Sequence, residues 1–423
     1  MSDAPEKDNS DSRADRRGAF RLLFFCLVAV GAGNTMLTGA ILPPLSRELD
    51  LPDWMAGAIF SLSAALWSFM SAFWGRKSNS WGRRPVAAMG MLGFAVSMLL
   101  FGIFATSAIN GWIAGNFVIF VCLLFSRSLF GIIGSGTNPA AQAYVADRTS
   151  RADRTEEIAS LTSGFSFGAV AGPAFAAAVG SAFGLITPVF MIAGIAAVMS
   201  VLIYTGLPEF TRPAQKPIPA NTRDPAQGLW RDRRVLPFLI YAVCLSLVTG
   251  VLTQTFGFAI IDKLDLDSSE ALQFTGPAFT VGAAGTLIAQ LAIIPRLKMS
   301  NRTLMVSGAL ILSCGAFLIM STQLFAVLVM AQFCVGIGQG LARPGFSSGA
   351  SLAVGSSLQG NIAGLVISAN GMGFIVSPFF GPWMYEFVHP SAPFLGAGVL
   401  LLVMALFARK VFPANQVVEE YDD

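Results

Sequence analysis

The chain has 423 residues, of which 54% are hydrophobic and only 12% are charged, whereas about a quarter of the residues in an ordinary soluble domain are charged. At a mean hydropathy of +0.66, the polar residues cannot cover the apolar ones in water, so lipid must be the outer solvent and a soluble enzyme is excluded. The net charge of +3 is too small to indicate nucleic acid as a partner.

Apolar runs bounded by charged or turn residues predict an all-α integral membrane protein with twelve transmembrane helices. A bilayer core of about 30 Å needs roughly 20 apolar residues per helix, and the chain is long enough for twelve such helices with short loops. The predicted spans are 22–42, 54–74, 86–106, 117–144, 158–180, 185–206, 236–259, 271–294, 304–321, 325–352, 359–385 and 392–411.

Polar segments divide these spans into six and six. Residues 1–20 are polar with mixed charge, which predicts a disordered cytoplasmic tail. Residues 207–235 hold five prolines and six Lys or Arg, which predicts a cytoplasmic linker. The first half is therefore 21–206, the second half is 236–412, and a second cytoplasmic tail covers 413–423.

Basic residues are concentrated on one side of this topology. Of the 27 Lys and Arg, 23 lie in the tails, the linker and the even-numbered connections, or at the helix ends that adjoin them. Only Arg47 and Lys263 lie on the other side, while Arg127 and Arg343 lie inside spans. The positive-inside bias places both termini in the cytoplasm, for a multi-pass protein of a bacterial cytoplasmic (inner) membrane.

The sequence contains no recognisable motif for binding a metal, a cofactor or a nucleotide. The five cysteines lie in apolar runs without C-x-x-C spacing, which predicts inert packing residues. His389 is the single histidine, so no His/Cys metal cluster can form. No G-x-x-x-x-G-K-[ST] loop for ATP occurs, so we expect no cofactor and an ion or solute gradient as the energy source.

The two halves repeat. Arg127, Gly131 and Pro139 of the fourth span correspond at an offset of 205 to Gln332, Gly336 and Pro344 of the tenth. Gly164, Gly168, Gly172 and Pro173 correspond at an offset of 209 to Gly373, Ser377, Gly381 and Pro382. Twelve spans in two repeated halves joined by a basic linker are typical of a secondary transporter with its substrate path near the membrane midplane.

The connection between the second and third spans carries a recognisable motif. It reads Gly75-Arg-Lys-Ser-Asn79-Ser-Trp-Gly82-Arg83-Arg84, and it resembles the loop G-x-x-x-D-R/K-x-G-R-R/K of the major facilitator superfamily. The glycines and both arginines match, whereas Asn79 stands where the family has aspartate and Ser80 where it has a basic residue. Glycines allow a tight turn, and arginines reach phosphates or carboxylates at the surface.

Further matches resemble the twelve-helix drug:proton antiporters of the tetracycline and multidrug efflux branch. Arg127 to Gly134 follows the fourth-helix pattern R-x-x-x-G-x-x-G, and the row Gly164, Gly168, Gly172 with Pro173 follows the fifth-helix antiporter motif. The resemblance implies a cytoplasmic gate at Gly75, Asn79, Gly82, Arg83, Arg84 and Asp147, with Arg83 pairing with Asp147. The glycine and proline residues, including Gly381 and Pro382, imply a rocking interface between the halves.

In this family the first, fourth, seventh and tenth helices line the central cavity, so the resemblance implies a substrate site there. Most polar residues inside spans fall on those helices. Any one of them is as compatible with a helix-helix hydrogen bond as with a contact to the substrate. Arg127, near the middle of its span, needs a polar cavity or an acceptor. The candidate cavity residues are Asn34, Thr38, Arg127, Asn138, Gln254, Gln332, Gln339, Arg343 and Asn370.

No acidic residue can be placed at the centre of a span, although proton-coupled exporters usually titrate an embedded carboxylate. The function predicted from the sequence is export of a small amphipathic organic compound or drug by alternating access, with protons as coupling ion, small molecules and lipids as partners, and a monomeric state. Three alternatives remain open: an exporter of one endogenous metabolite, an importer of an organic anion attracted by Arg127 and Arg343, and a membrane receptor or scaffold without turnover.

Overall fold

The computed structural model describes residues 6–149, 154–208, 225–355 and 358–412. Residues 1–5 of the predicted tail, 209–224 of the predicted linker and the whole predicted tail 413–423 lie outside this part of the chain. Within it, twelve helices are long and apolar enough to cross a membrane. The prediction of an all-α protein with twelve spans is confirmed.

The chain forms two compact units, one within Met1–Leu51 and Leu62–Ala214, the other within Pro52–Ser61 and Gln215–Asp423. The spanning helices are α1 (Arg17–Glu48), α2 (Asp53–Trp81), α3 (Arg83–Ile109), α4 (Asn116–Asp147), α5 (Glu157–Phe183), α6 (Thr187–Gly206), α7 (Leu236–Leu264), α8 (Glu270–Leu297), α9 (Asn301–Ser321), α10 (Phe325–Leu352), α11 (Asn361–Phe387) and α12 (Ala392–Val411). Ahead of α7, Pro225–Arg231 forms a short 3₁₀ helix.

Each unit uses the same helix pairing. In the first unit α1 packs along α5, and α3 contacts both α4 and α6. In the second unit α7 packs along α11, and α9 contacts both α10 and α12. Helix α8 also packs along α10. The repeat read from the sequence is thus a repeat of packing, with α1 equivalent to α7 and α4 equivalent to α10.

Proline positions explain where the long helices depart from α geometry. A π-helical stretch, Met36–Ile41, precedes Pro43 and Pro44 in α1, and a second one, Ala289–Ile293, precedes Pro295 in α8. A proline cannot donate to the carbonyl four residues earlier, and its ring pushes that carbonyl away, so the preceding turn widens. The widened turn of α1 lies directly after Asn34, one of the candidate cavity residues.

The first correction concerns residues 1–20, predicted as a disordered tail. The helix that contains α1 begins at Glu6, so residues 6–20 are helical. Extending an existing helix costs far less than nucleating a new one, and the apolar span supplies the nucleus.

The second correction concerns the motif between the second and third spans, which the sequence places in a loop. Helix α2 continues through this segment to Trp81, and α3 begins at Arg83. The turn is confined to Gly82, whose φ of 98° lies in a region that a side chain disfavours. Gly75 lies inside α2, so only the second of the two glycines makes the turn.

Candidate functional site

Arg127 is fully buried inside the first unit. Its Nη2 donates a hydrogen bond to Asn34 Oδ1 at 2.9 Å, which joins α4 to α1. The guanidinium lies over the ring of Phe130, 4.6 Å from the centroid. The backbone carbonyl of Arg127 accepts a hydrogen bond from Ser63 Oγ at 3.0 Å. A guanidinium held between an amide oxygen and an aromatic face is a well-defined polar centre within the span.

The π-helical turn of α1 starts immediately after the asparagine of this centre. The Thr38 hydroxyl donates to the backbone carbonyl of Asn34, and the Thr35 hydroxyl donates to the carbonyl of Gly31 at 2.9 Å. These hydroxyls satisfy helix carbonyls where the regular bonding pattern changes. Of the predicted cavity residues, Asn34, Thr38 and Arg127 are therefore brought together in one cluster.

Arg343 is the second arginine in the interior of a span, and it lies in the second unit. Its side chain is exposed, and its guanidinium carbon lies 6.0 Å from the ring centroid of Phe374 on α11. Gln339 and Ser347 stand four residues before and after it, so all three share one face of α10. This face is polar at a depth where a lipid-facing surface would be apolar.

Two predicted asparagines use their side chains within their own helices. Asn138 Oδ1 accepts a hydrogen bond from Gln142 Nε2 at 3.0 Å. Asn370 Nδ2 donates to the carbonyl of Val366 at 3.0 Å. Both side chains are half-buried, and neither bond joins one predicted cavity residue to another.

The remaining predicted glutamines differ in burial. Gln254 and Gln332 are buried, whereas Gln339 is half-buried. Gln332 lies beside Gly282, where α8 approaches α10 closely. The side-chain nitrogen Nε2 of Gln254 has no hydrogen-bond partner among the described residues. A buried amide donor in this situation can serve a ligand or water.

The predicted gate residues form an ion pair at one end of the first unit. Arg83 Nε lies 3.1 Å from Asp147 Oδ2, and the two side chains are 18% and 22% exposed. Arg83 Nη1 also donates to Ser78 Oγ, and that hydroxyl donates to the carbonyl of Gly75 at 2.8 Å. One guanidinium thereby ties together the end of α2, the start of α3 and the end of α4.

The other gate residues take no part in that ion pair. Asn79 is exposed, one residue after the buried Ser78. Arg84 Nη1 donates to the carbonyl of Leu207 at 3.4 Å and lies over the ring of Tyr204, 5.4 Å from the centroid. Arg84 thus anchors the end of α6, whereas Arg83 anchors the end of α4.

The glycine row of α5 lies against α1 of the same unit. A Cβ at Gly164, Gly168 or Gly172 would collide with a backbone carbonyl oxygen of α1. In the second unit, a Cβ at Gly373 would collide with Ser246 of α7, and a Cβ at Gly381 would lie 3.1 Å from Thr255 Cγ2 of α7. Small residues every fourth position allow helix backbones to approach closely.

Comparison with known proteins assigns the family. The model of the Major Facilitator Superfamily matches residues 23–366 and 278–422. The chain belongs to the major facilitator superfamily. It is a transmembrane transporter, not an enzyme, and the solved structures below share its fold.

Multidrug resistance protein 2 of Bacillus subtilis is 24% identical over 74% of this chain and 76% of its own length. The crystal structure of the nucleoside transporter NupG matches 95% of this chain and 100% of that chain with a TM-score of 0.73 at 15% identity. The crystal structure of the human organic anion transporter MFSD10 (TETRAN) matches 93% of this chain and 99% of that chain with a TM-score of 0.63 at 21% identity.

The charges within the spans of this major facilitator protein are uneven. Across the described residues, every acidic residue in a span stands within three residues of a helix end. Asp262 is one of them, and it accepts a hydrogen bond from Tyr385 OH at 2.8 Å. Arg127 and Arg343, by contrast, lie more than two turns from either end of their helices. The interior of the transporter is therefore basic.

Three residues of these clusters were missed by sequence reasoning. Phe130 and Phe374 are two of 35 phenylalanines, and this abundance gives no sign of which rings adjoin a charge. A usable signal was their spacing, since Phe130 follows Arg127 by three positions and Phe374 follows Asn370 by four. Ser78 lies inside the recognised motif, but a single serine among basic residues gives no sign of its bond to Arg83.

Proposed function

We propose that this transporter exports a small amphipathic organic compound or drug from the cytoplasm by alternating access, with protons as the coupling ion. The observation that carries the proposal is the glycine row of α5 against the α1 backbone, repeated where α11 meets α7. The row and Pro173 resemble the antiporter motif of the efflux branch. The similarity to a Bacillus multidrug resistance protein supports the same direction.

Location in the cytoplasmic membrane, with both termini inside the cell, completes the proposal. The distribution of Lys and Arg supports this orientation, because cytoplasmic connections retain basic residues. A cysteine replacing Ala220 in the linker, in a variant without the five native cysteines, tests it. An impermeant thiol reagent should label that cysteine in inside-out vesicles only. Labelling from outside intact cells would contradict this orientation and indicate the opposite one.

Transport direction is tested in cells that lack their main efflux systems. Cells expressing the wild type should accumulate less of at least one compound from a panel of amphipathic dyes and drugs, and a protonophore should abolish the difference. Arg127→Gln should reach the membrane in equal amount yet lose export, because its guanidinium organises the buried centre with Asn34. Arg296→Gln, which changes an exposed arginine at the end of α8, is the matched control.

Proton coupling needs its own measurement, since the carboxylates of the described spans lie near helix ends. In liposomes that contain purified protein and a trapped pH-sensitive dye, adding the exported compound should move protons in the opposite direction. Transport without proton movement would be compatible with export but would contradict protons as the coupling ion. Transport of a single natural metabolite, and of no drug, would favour the dedicated exporter.

Import of an organic anion is the second candidate, and the exposed Arg343 favours it. The human organic anion transporter MFSD10 shares the fold of this chain, which supports this candidate at the level of fold. Expressing cells would then accumulate an aromatic anion above the level of control cells. That result would reverse the proposed direction while leaving the transporter assignment intact.

A further inference from the structure

Arg343 lies at an unusual depth for a positive charge. It is the nineteenth of the 28 residues of α10, so at 1.5 Å per residue it stands about 13 Å from the end of the helix at Leu352. Insertion of arginine this deep is costly unless the side chain meets water or an anion. Its side chain is exposed, so the charge is accessible.

The helix face around Arg343 is polar and accessible. Gln339, Arg343 and Ser347 share one face of α10, and none of the three is buried. Arg343 forms no ion pair among the described residues, and acidic side chains in the spans of that part of the chain lie at helix ends. This charge is therefore available to an anion from outside the described residues.

An aromatic surface adjoins the charge. Phe374 presents its ring 6.0 Å from the Arg343 guanidinium carbon, and it is itself exposed. Asn370 lies one turn before Phe374 on α11 and is half-buried. A planar fork of donors beside an aromatic ring matches a ligand with a carboxylate or sulfonate next to an apolar ring.

We propose that Arg343 and Phe374 form the part of the substrate site that selects amphipathic anions, with the guanidinium on the anionic group and the ring on the apolar body. This inference rests on the proposed function, whose substrate is amphipathic, and narrows that substrate to a monoanion. It also gives a driving force, because a membrane potential that is negative inside expels anions.

Binding to purified protein in detergent tests the inference without requiring transport. The probes are three pairs with the same ring and opposite charge: indole-3-acetate and tryptamine, naphthalene-1-sulfonate and 1-naphthylmethylamine, 1-pyrenebutyrate and 1-pyrenemethylamine. We expect at least one anion to raise the unfolding temperature and to bind at least tenfold tighter than its paired amine. Arg343→Gln should weaken binding of that anion about tenfold or more, and Arg343→Lys less than Arg343→Gln.

Two further variants separate the site from general effects of charge. Phe374→Leu should weaken binding of the aromatic anions severalfold. Arg296→Gln removes an exposed arginine of the same unit and should leave anion binding unchanged. Equal binding to wild type and Arg343→Gln, tighter binding of the amines, or no binding of any anion would overturn the inference. Anion binding in a protein that imports would overturn the proposed direction and leave this site standing.

Discussion

Replacing Asp147 by alanine should loosen one end of the first unit. The carboxylate pairs with Arg83 at 3.1 Å, and Arg83 is also held by Ser78. Alanine removes both the charge and the acceptor, whereas Asp147→Asn keeps an acceptor and removes the charge. The two variants therefore separate the hydrogen bond from the ion pair. Both residues lie near the ends of their helices, so water reaches them.

The expected magnitude follows from the exposure of the pair. Fully exposed ion pairs contribute about 0.2–1 kcal/mol, and hydrogen bonds to charged groups contribute about 1.5–3 kcal/mol when buried. At 18% and 22% exposure, the pair lies between these cases, so we expect a coupling of about 1–2 kcal/mol. In a unit of roughly 200 residues, Asp147→Ala should then lower the unfolding temperature by about 2–8 °C.

A double-mutant cycle with Arg83→Gln measures this coupling by thermal unfolding of the purified protein. The coupling should shrink when the salt concentration rises from about 0.05 to 0.5 M, because the Debye length falls well below 10 Å. The pair of Asp232 and Arg234, in which Arg234 is 61% exposed, is the control and should show a weaker coupling. Hydrogen bonds from Arg234 hold the pKa of the Asp232 carboxyl below its ordinary value. The control pair therefore stays charged at neutral pH, and its ion pair breaks only as the pH falls through that pKa. Coupling of Arg83 and Asp147 no larger than that of the control would refute the reasoning.

Two more predictions concern packing and capping. Gly168→Ala should lower both the yield and the unfolding temperature, because its Cβ would collide with the backbone carbonyl of Val28, whereas Gly194→Ala enters open space and should be neutral. Lys263→Met should lower the unfolding temperature by about 1–3 °C, because the ammonium donates to two carbonyls at the end of α9; Lys298→Met, at an exposed position, should not. Thermal unfolding of purified variants checks both predictions, and a neutral Gly168→Ala or Lys263→Met would contradict them.

The sequence predicted the fold well, because lipid imposes a strong constraint on every span. Apolar length gives the spans, and the twofold repeat gives helices that occupy equivalent places. Helix ends were less predictable. Residues such as Arg76 and Lys77 look like a loop, yet α2 continues through them, since charged side chains at the end of a spanning helix reach the interface without leaving helical geometry.

The site was predicted less completely, because clusters depend on side-chain geometry that spacing does not fix. Asn34 and Arg127 were both singled out, but nothing in the sequence states that one bonds the other across α1 and α4. The packing partner of the glycine row is not predictable for a related reason. A row of small residues predicts close packing, yet it does not identify the partner helix, which is α1 of the same unit.

The repeat relates the two arginines of α4 and α10, which lie at different depths along equivalent helices. At the offset of 205, Arg127 corresponds to Gln332 and Asn138 corresponds to Arg343, so each unit has one arginine and one amide at two shared positions. The positions are 11 residues apart, which in the continuous helix α10 is about three turns, so there they lie on the same face roughly 16 Å apart. In the first unit the arginine is buried and bound to Asn34; in the second it is exposed beside Phe374. Arginine and amide are thus exchanged between the two positions, which leaves a buried, structure-organising charge in one unit and an accessible charge in the other. The double variant Gln332→Arg with Arg343→Asn should therefore not restore anion binding.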